Sequence, residues 1–82
     1  MVKVILLIRH LGPDGPPAVT SSMKVEDDVY KIENYMKEDM EKARDEFIST
    51  FPEFRRAHWA IQLVDIRNHG MSSLDHIKLD PI

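Results

Sequence analysis

Four histidines, His10, His58, His69 and His76, are the residues of this chain best suited to metal binding or proton transfer. Imidazole is a common metal ligand, and histidine is the side chain whose charge changes near neutral pH. Their spacing serves neither purpose within one element. Metal-binding histidines converge at i,i+4 on a helix or at a short fixed spacing in a turn, and no pair here has either spacing. His69 and His76, with Asp75, would converge only if the C-terminal segment folded back. They are read as surface or rim histidines, with no metal and no cofactor. The chain has no cysteine, which removes thiolate ligands, disulfides and thiol catalysis. Ser21, Ser22, Ser49, Ser72 and Ser73 lie in no nucleophile motif. Gly12-Pro13-Asp14-Gly15 lacks the Lys-Ser/Thr of a phosphate loop. The carboxylates between Glu26 and Glu46 alternate with Lys and Arg about one helical turn away, the pattern of a solvated helix face rather than of an acid–base pair. No catalytic residue is expected, and the chain reads as non-enzymatic.

The densest local chemistry lies in Phe51-Pro52-Glu53-Phe54-Arg55-Arg56-Ala57-His58-Trp59. Arginine offers a planar fork for carboxylate or phosphate, tryptophan offers the largest apolar area, and both are enriched at interface hot spots. Arg55, Arg56 and Trp59 are therefore the expected partner-binding residues. The competing reading makes this segment a helix-to-strand connection whose aromatics close the core while the arginines stay in water. Nucleic acid is the least favoured partner, because 14 Asp+Glu against 11 Lys+Arg leave a net charge of -3, which opposes binding to a phosphate backbone.

Leu6-Leu7-Ile8-Arg9-His10, followed by Gly12, resembles the opening of the histidine phosphatase family. There an apolar strand ends in Arg-His-Gly and the histidine becomes phosphorylated, a resemblance that would make His10 a nucleophile. Leu11 stands where the family has glycine, and 82 residues are far fewer than that family uses to assemble its second histidine and remaining phosphate ligands. A strand end with a polar exit is the reading taken.

The elements that must position these residues follow from periodicity. Val2 to His10 is short, β-branched and apolar, and Gly-Pro punctuation follows it, so it is predicted to be a strand. Val2, Val4, Leu6 and Ile8 fall on one face, Ile5 and Leu7 on the other. Leu11 to Pro17 reads as a loop. Ala18 to Val25 is ambiguous between a weak edge strand, with Val19, Met23 and Val25 at strand spacing, and a loop ending in a helix cap at Ser22. From Glu26 to Thr50 the apolar residues recur every three or four positions (Val25, Val29, Ile32, Met36, Met40, Ala43, Phe47), which predicts one long amphipathic helix ended by Pro52. Ala57 to Arg67 is the last clear strand, with Trp59, Ile61 and Leu63 on one face and Ala60, Val64 and Ile66 on the other. Asn68-His69-Gly70 reads as a turn, and in the tail that follows Asp75-His76-Ile77-Lys78-Leu79 is the one candidate for a short extended piece, without a firm signal. No internal repeat is apparent.

The expected fold class is α+β: a small sheet of two strong strands and a weak edge strand, packed on one long amphipathic helix. Residues 1–70 form the expected domain and residues 71–82 a C-terminal tail. At 82 residues and 43% hydrophobic content, one small soluble domain with a marginal core is expected. No segment is long enough to span a bilayer and no signal-peptide cleavage pattern is present, so a cytoplasmic protein without a membrane partner is expected. Both strong strands are apolar on two faces, yet one helix covers only one face of a sheet. The second face requires a second copy of the chain, another protein or the tail; a homodimer is expected first, because most soluble oligomers are symmetric. The functional expectation is a small interaction module that self-associates and binds an unidentified protein, as a regulator or inhibitor. The alternatives are a ligand-binding or enzymatic dimer resembling the dimeric α+β barrels, and, by analogy of size, an inhibitor or adaptor of the phage type.

Overall fold

The computed structural model describes residues 3–12, 15–67 and 72–80. Val2, Pro13 and Asp14 of the loop, and the turn Asn68–Gly70 with His69, lie outside the described residues. β1 (Lys3–His10) and β3 (His58–Asp65), the two runs rich in Val, Ile and Leu, pair antiparallel at the centre of a four-stranded sheet. β2 (Ala18–Val25) flanks β1 and β4 (Ser72–Lys78) flanks β3, giving the order β2-β1-β3-β4. The ambiguous segment is thus a strand. The segment expected as a tail supplies a fourth strand, one more than the sequence predicts, rather than a cover for the sheet. The α+β class is as expected.

The helix α1 (Asn34–Thr50) lies on the face formed by Ile5, Leu7, Trp59, Ile61 and Leu63, with Met36, Met40 and Ile48 as its buried stripe. Its 17 residues make a rod of about 26 Å, which matches the ~26 Å of an eight-residue strand. The helix begins eight residues later than its apolar spacing predicts. Residues 26–33 instead wrap the end of the sheet. The Val29 N–H closes a turn onto the Glu26 carbonyl, and the Lys3 ammonium donates to the Asp27 carbonyl and sits 3.5 Å from the Tyr30 ring centre. The Ile32 N–H donates to a carboxylate oxygen of Asp75 at 2.8 Å. Val29, Tyr30 and Ile32 are weak helix formers, and Val29 and Ile32 reach the core as well from a wrapped chain as from a helix. The same spacing therefore served two backbone paths, and tertiary bonds decided between them.

Each outer strand carries one β-bulge. In β2, Ser21 faces Leu7 and Val19 faces Ile8, leaving Thr20 without a partner. In β4, Asp75 faces Leu63 and Ser73 faces Val64, leaving Leu74 without one. Past a bulge the two-residue alternation changes phase, so Val19 leaves the face of Met23 and Val25 and joins Ile8 on the opposite one.

These registers reveal an internal repeat that the sequence conceals. The hairpin β1–β2 maps onto β3–β4 through a pseudo-twofold axis at the Leu6–Gln62 pair. Ile5 corresponds to Ile61, Leu7 to Leu63, Ile8 to Val64, Met23 to Ile77, Lys24 to Lys78 and Val25 to Leu79. The bulged Thr20 corresponds to the bulged Leu74. The two hairpins have loops of unequal length and share few identities, so no linear pattern exposes the match.

Candidate functional site

The face of the sheet turned away from α1 carries Val4, Leu6, Ile8 and His10 of β1, His58, Ala60, Gln62 and Val64 of β3, and His76 and Lys78 of β4, as the alternation and register require. Among the described residues no helix or strand is layered over it. Val4, Leu6 and Ile8 are half-buried, and Val19 is 57% exposed.

At one end of this face lies a hollow of about 220 Å³ lined by His10, His58, His76, Arg55, Lys78 and Asp80 over a floor that includes Ala60. His10 and His58 are directly opposed on β1 and β3. Lys78 opposes Ala60, and His76 opposes Gln62 one step further along. Ala60, the smallest side chain of its row, leaves the depression. The Leu79 N–H donates to the Trp59 carbonyl at 2.9 Å, which carries the chain past the end of β4 and brings Asp80 to the rim. Arg55 arrives from the 3₁₀ turn Pro52–Arg56. Arg55 and Lys78 against Asp80 leave the lining net positive before any histidine is charged. The donors surround a space rather than converge on a point, and among the described residues no three His, Asp or Glu side chains are grouped so as to hold a metal ion.

The partner-binding residues expected from the sequence are separated by the fold. Arg55 and Arg56 are exposed, and Arg55 belongs to the hollow. Trp59 is 6% exposed and belongs to the core under α1. Its indole N–H donates to the Phe54 carbonyl at 3.1 Å, and its ring stands 5.8 Å from Phe47, edge to face. With Phe51 and Phe54, these rings close the end of the core.

Arg9 and His10 point to opposite sides of the sheet, as neighbours in a strand must. The Arg9 guanidinium lies over Phe47 and Phe54 at 4.6 and 4.8 Å and donates to Thr20 Oγ1. It therefore braces the bulge and the aromatic cluster, and the pair does not combine into the phosphate site that the Arg-His resemblance implies.

Sequence reasoning missed the hollow because two of its residues, His76 and Lys78, stand on a strand that the sequence signals weakly. The one available signal was parity: His10 shares a face with Ile8, and His58 with Ala60. No helix among the described residues is long and apolar enough to cross a membrane. Compared with protein-family models, with curated proteins and with solved structures, the chain has no match.

Proposed function

We propose that this protein is a small non-enzymatic interaction module that self-associates through the open face of its sheet and uses the exposed Arg55–Arg56 end to contact a second protein. The observation that supports the reading is the row Val4, Leu6, Ile8 and Val19 on a face with no second layer among the described residues. A sheet of four strands about 4.8 Å apart and about 27 Å long presents roughly 500 Å². Two copies stacked over the apolar part of that area, clear of the His10–His58 end, bury less than the two whole faces, in the range of a weak, reversible association. A second copy supplies a face of the same shape and apolar character, and a twofold pairing closes on itself without leaving a sticky edge. The bulges in both outer strands disfavour the competing edge-to-edge association.

Sedimentation equilibrium tests the reading. A dimer with a dissociation constant in the micromolar range is expected for the natural sequence, and a folded monomer for Leu6→Lys, which places a charge at the centre of the face. A natural chain that stays monomeric at about 100 µM, or a Leu6→Lys variant as dimeric as its parent, refutes it.

A further inference from the structure

The hollow at the end of the open face has chemistry of its own, and it is built within one chain, whatever the association state. Three of the four histidines of the sequence meet there from three different strands, together with Arg55 and Lys78. A chain of net charge -3 has thus gathered donors for an anion in one concavity. The fold did not require this. The pseudo-twofold axis relates this corner of the sheet to another corner with the same hairpin framework. There Ser22 occupies the position of His76 and Ile66 that of His10, while Lys24 occupies that of Lys78. The second corner keeps the lysine and the bulged strand and has neither imidazole. The histidines are therefore a property of one site and not of the architecture.

We propose that this hollow binds the phosphoryl group of a small phosphate monoester. Arg55 and Lys78 supply fixed positive charge and strong charge-assisted hydrogen bonds. His10, His58 and His76 add N–H donors from the other sides, a distribution that suits a tetrahedral oxyanion better than a planar carboxylate. Asp80, the one acid of the lining, stands at the rim, where it accepts from a hydroxyl of the ligand and repels a second phosphate. Size limits the rest of the molecule: about 220 Å³ equals the liquid volume of roughly seven waters at ~30 Å³ each, and it lies below the ~300–1,000 Å³ of sites for drug-sized ligands. Ala60 on the floor gives a small apolar surface for a body of a few carbon atoms.

The test is a ¹⁵N–¹H titration of the whole chain at constant ionic strength, with inorganic phosphate and glycerol phosphate as probes and acetate as comparison. The expected result is saturable shifts confined to His10 and its neighbours, residues 55–60 and residues 76–80, at low millimolar concentration for phosphate and lower for glycerol phosphate. Lys78→Glu is expected to weaken phosphate binding by about tenfold or more, the loss of one charge-assisted contact. Its symmetry counterpart Lys24→Glu carries the same change of net charge and is expected to stay within about twofold. His76→Ser, which copies the residue at the related corner, is expected to weaken binding by a few fold. Arg55→Gln lies off the sheet and gives an independent reading if a strand variant fails to fold. Absence of saturation at 50 mM phosphate (on the order of the weakest specific sites,), equal losses in Lys24→Glu and Lys78→Glu, or acetate binding as tightly as phosphate would each overturn the assignment.

Discussion

Trp59 and Arg56 are three positions apart in the chain and belong to different physical worlds. The indole is enclosed by Phe47, by Phe54 and by the sheet, and its one polar atom is satisfied. Arg56 is exposed and makes no ion pair or side-chain hydrogen bond among the described residues. Trp59→Ala is expected to cost about 3–5 kcal/mol through lost burial and a residual cavity, and Arg56→Glu to stay within about 0.5 kcal/mol; urea unfolding of both variants checks the contrast. Lys3 is a further residue whose role is set by its surroundings. It is 1% exposed, with its ammonium held between the Asp27 carbonyl and the Tyr30 ring. A buried ammonium without its partners is strongly destabilising. Lys3→Met, of similar length and without the charge, is expected to be tolerated better than Tyr30→Ala, which removes the ring and leaves the charge. Thermal unfolding of the two variants ranks them.

Among the elements, the two central strands and the helix from Met36 onward were legible because burial on one side imposes a period. In β1 and β3 that period is two, and in α1 it is three to four. What was not legible is what depends on distant partners. Residues 26–33 have helical spacing, yet Asp75, more than forty positions away, takes the Ile32 N–H. Ser72–Lys78 has weak strand propensity and becomes a strand because β3 offers it a complete edge. Asp75 joins these two cases, since it is a residue of the weakly signalled strand that fixes the unforeseen wrap. Asp75→Ala is expected to leave the Ile32 N–H unsatisfied at a cost of about 1–3 kcal/mol. Hydrogen exchange should then show faster exchange at Ile32 and its neighbours, with the amides of β1 and β3 still protected. The buried stripe of α1 also holds a residue that its apolar spacing conceals: Arg44 is buried, and its guanidinium reaches the Asp80 carbonyl at 3.1 Å. A charged residue at a helical core position was invisible to a count of apolar side chains. The candidate hollow was illegible for the same reason as β4, because His76 and Lys78 acquire neighbours only through strand pairing.

At the scale of the whole molecule, a single helix covers a single face, so the core has little redundancy. Met36→Asp puts an unpaired charge under that helix and is expected to cost several kcal/mol. In a domain of this size that is enough to abolish cooperative unfolding. Glu38→Lys, on the exposed side of the same helix, is expected to change stability by less than about 0.5 kcal/mol; a urea titration followed by circular dichroism separates them. If two open faces stack, association is linked to folding, and the unfolding midpoint rises with protein concentration. The natural chain is expected to gain several degrees between 5 and 500 µM (about two decades,), and Leu6→Lys to gain none. Differential scanning calorimetry at the two concentrations measures both.

The pseudo-twofold sheet also dictates an order of assembly. Each bulged hairpin closes across a short connection, whereas the seam between β1 and β3 joins strands separated by both the wrap and the helix. Closing that longer loop costs roughly 1.5–2 kcal/mol more in chain entropy, and only docking under α1 repays it. The two hairpins should therefore form early and independently, and the barrier should lie at their meeting. Substitutions at Met23 or Ile77, inside a hairpin, will then slow folding more per unit of lost stability than substitutions at Leu7 or Ile61, which face each other across the seam and whose loss mainly speeds unfolding. A molecule that looks like one sheet is, in time, two halves waiting for each other.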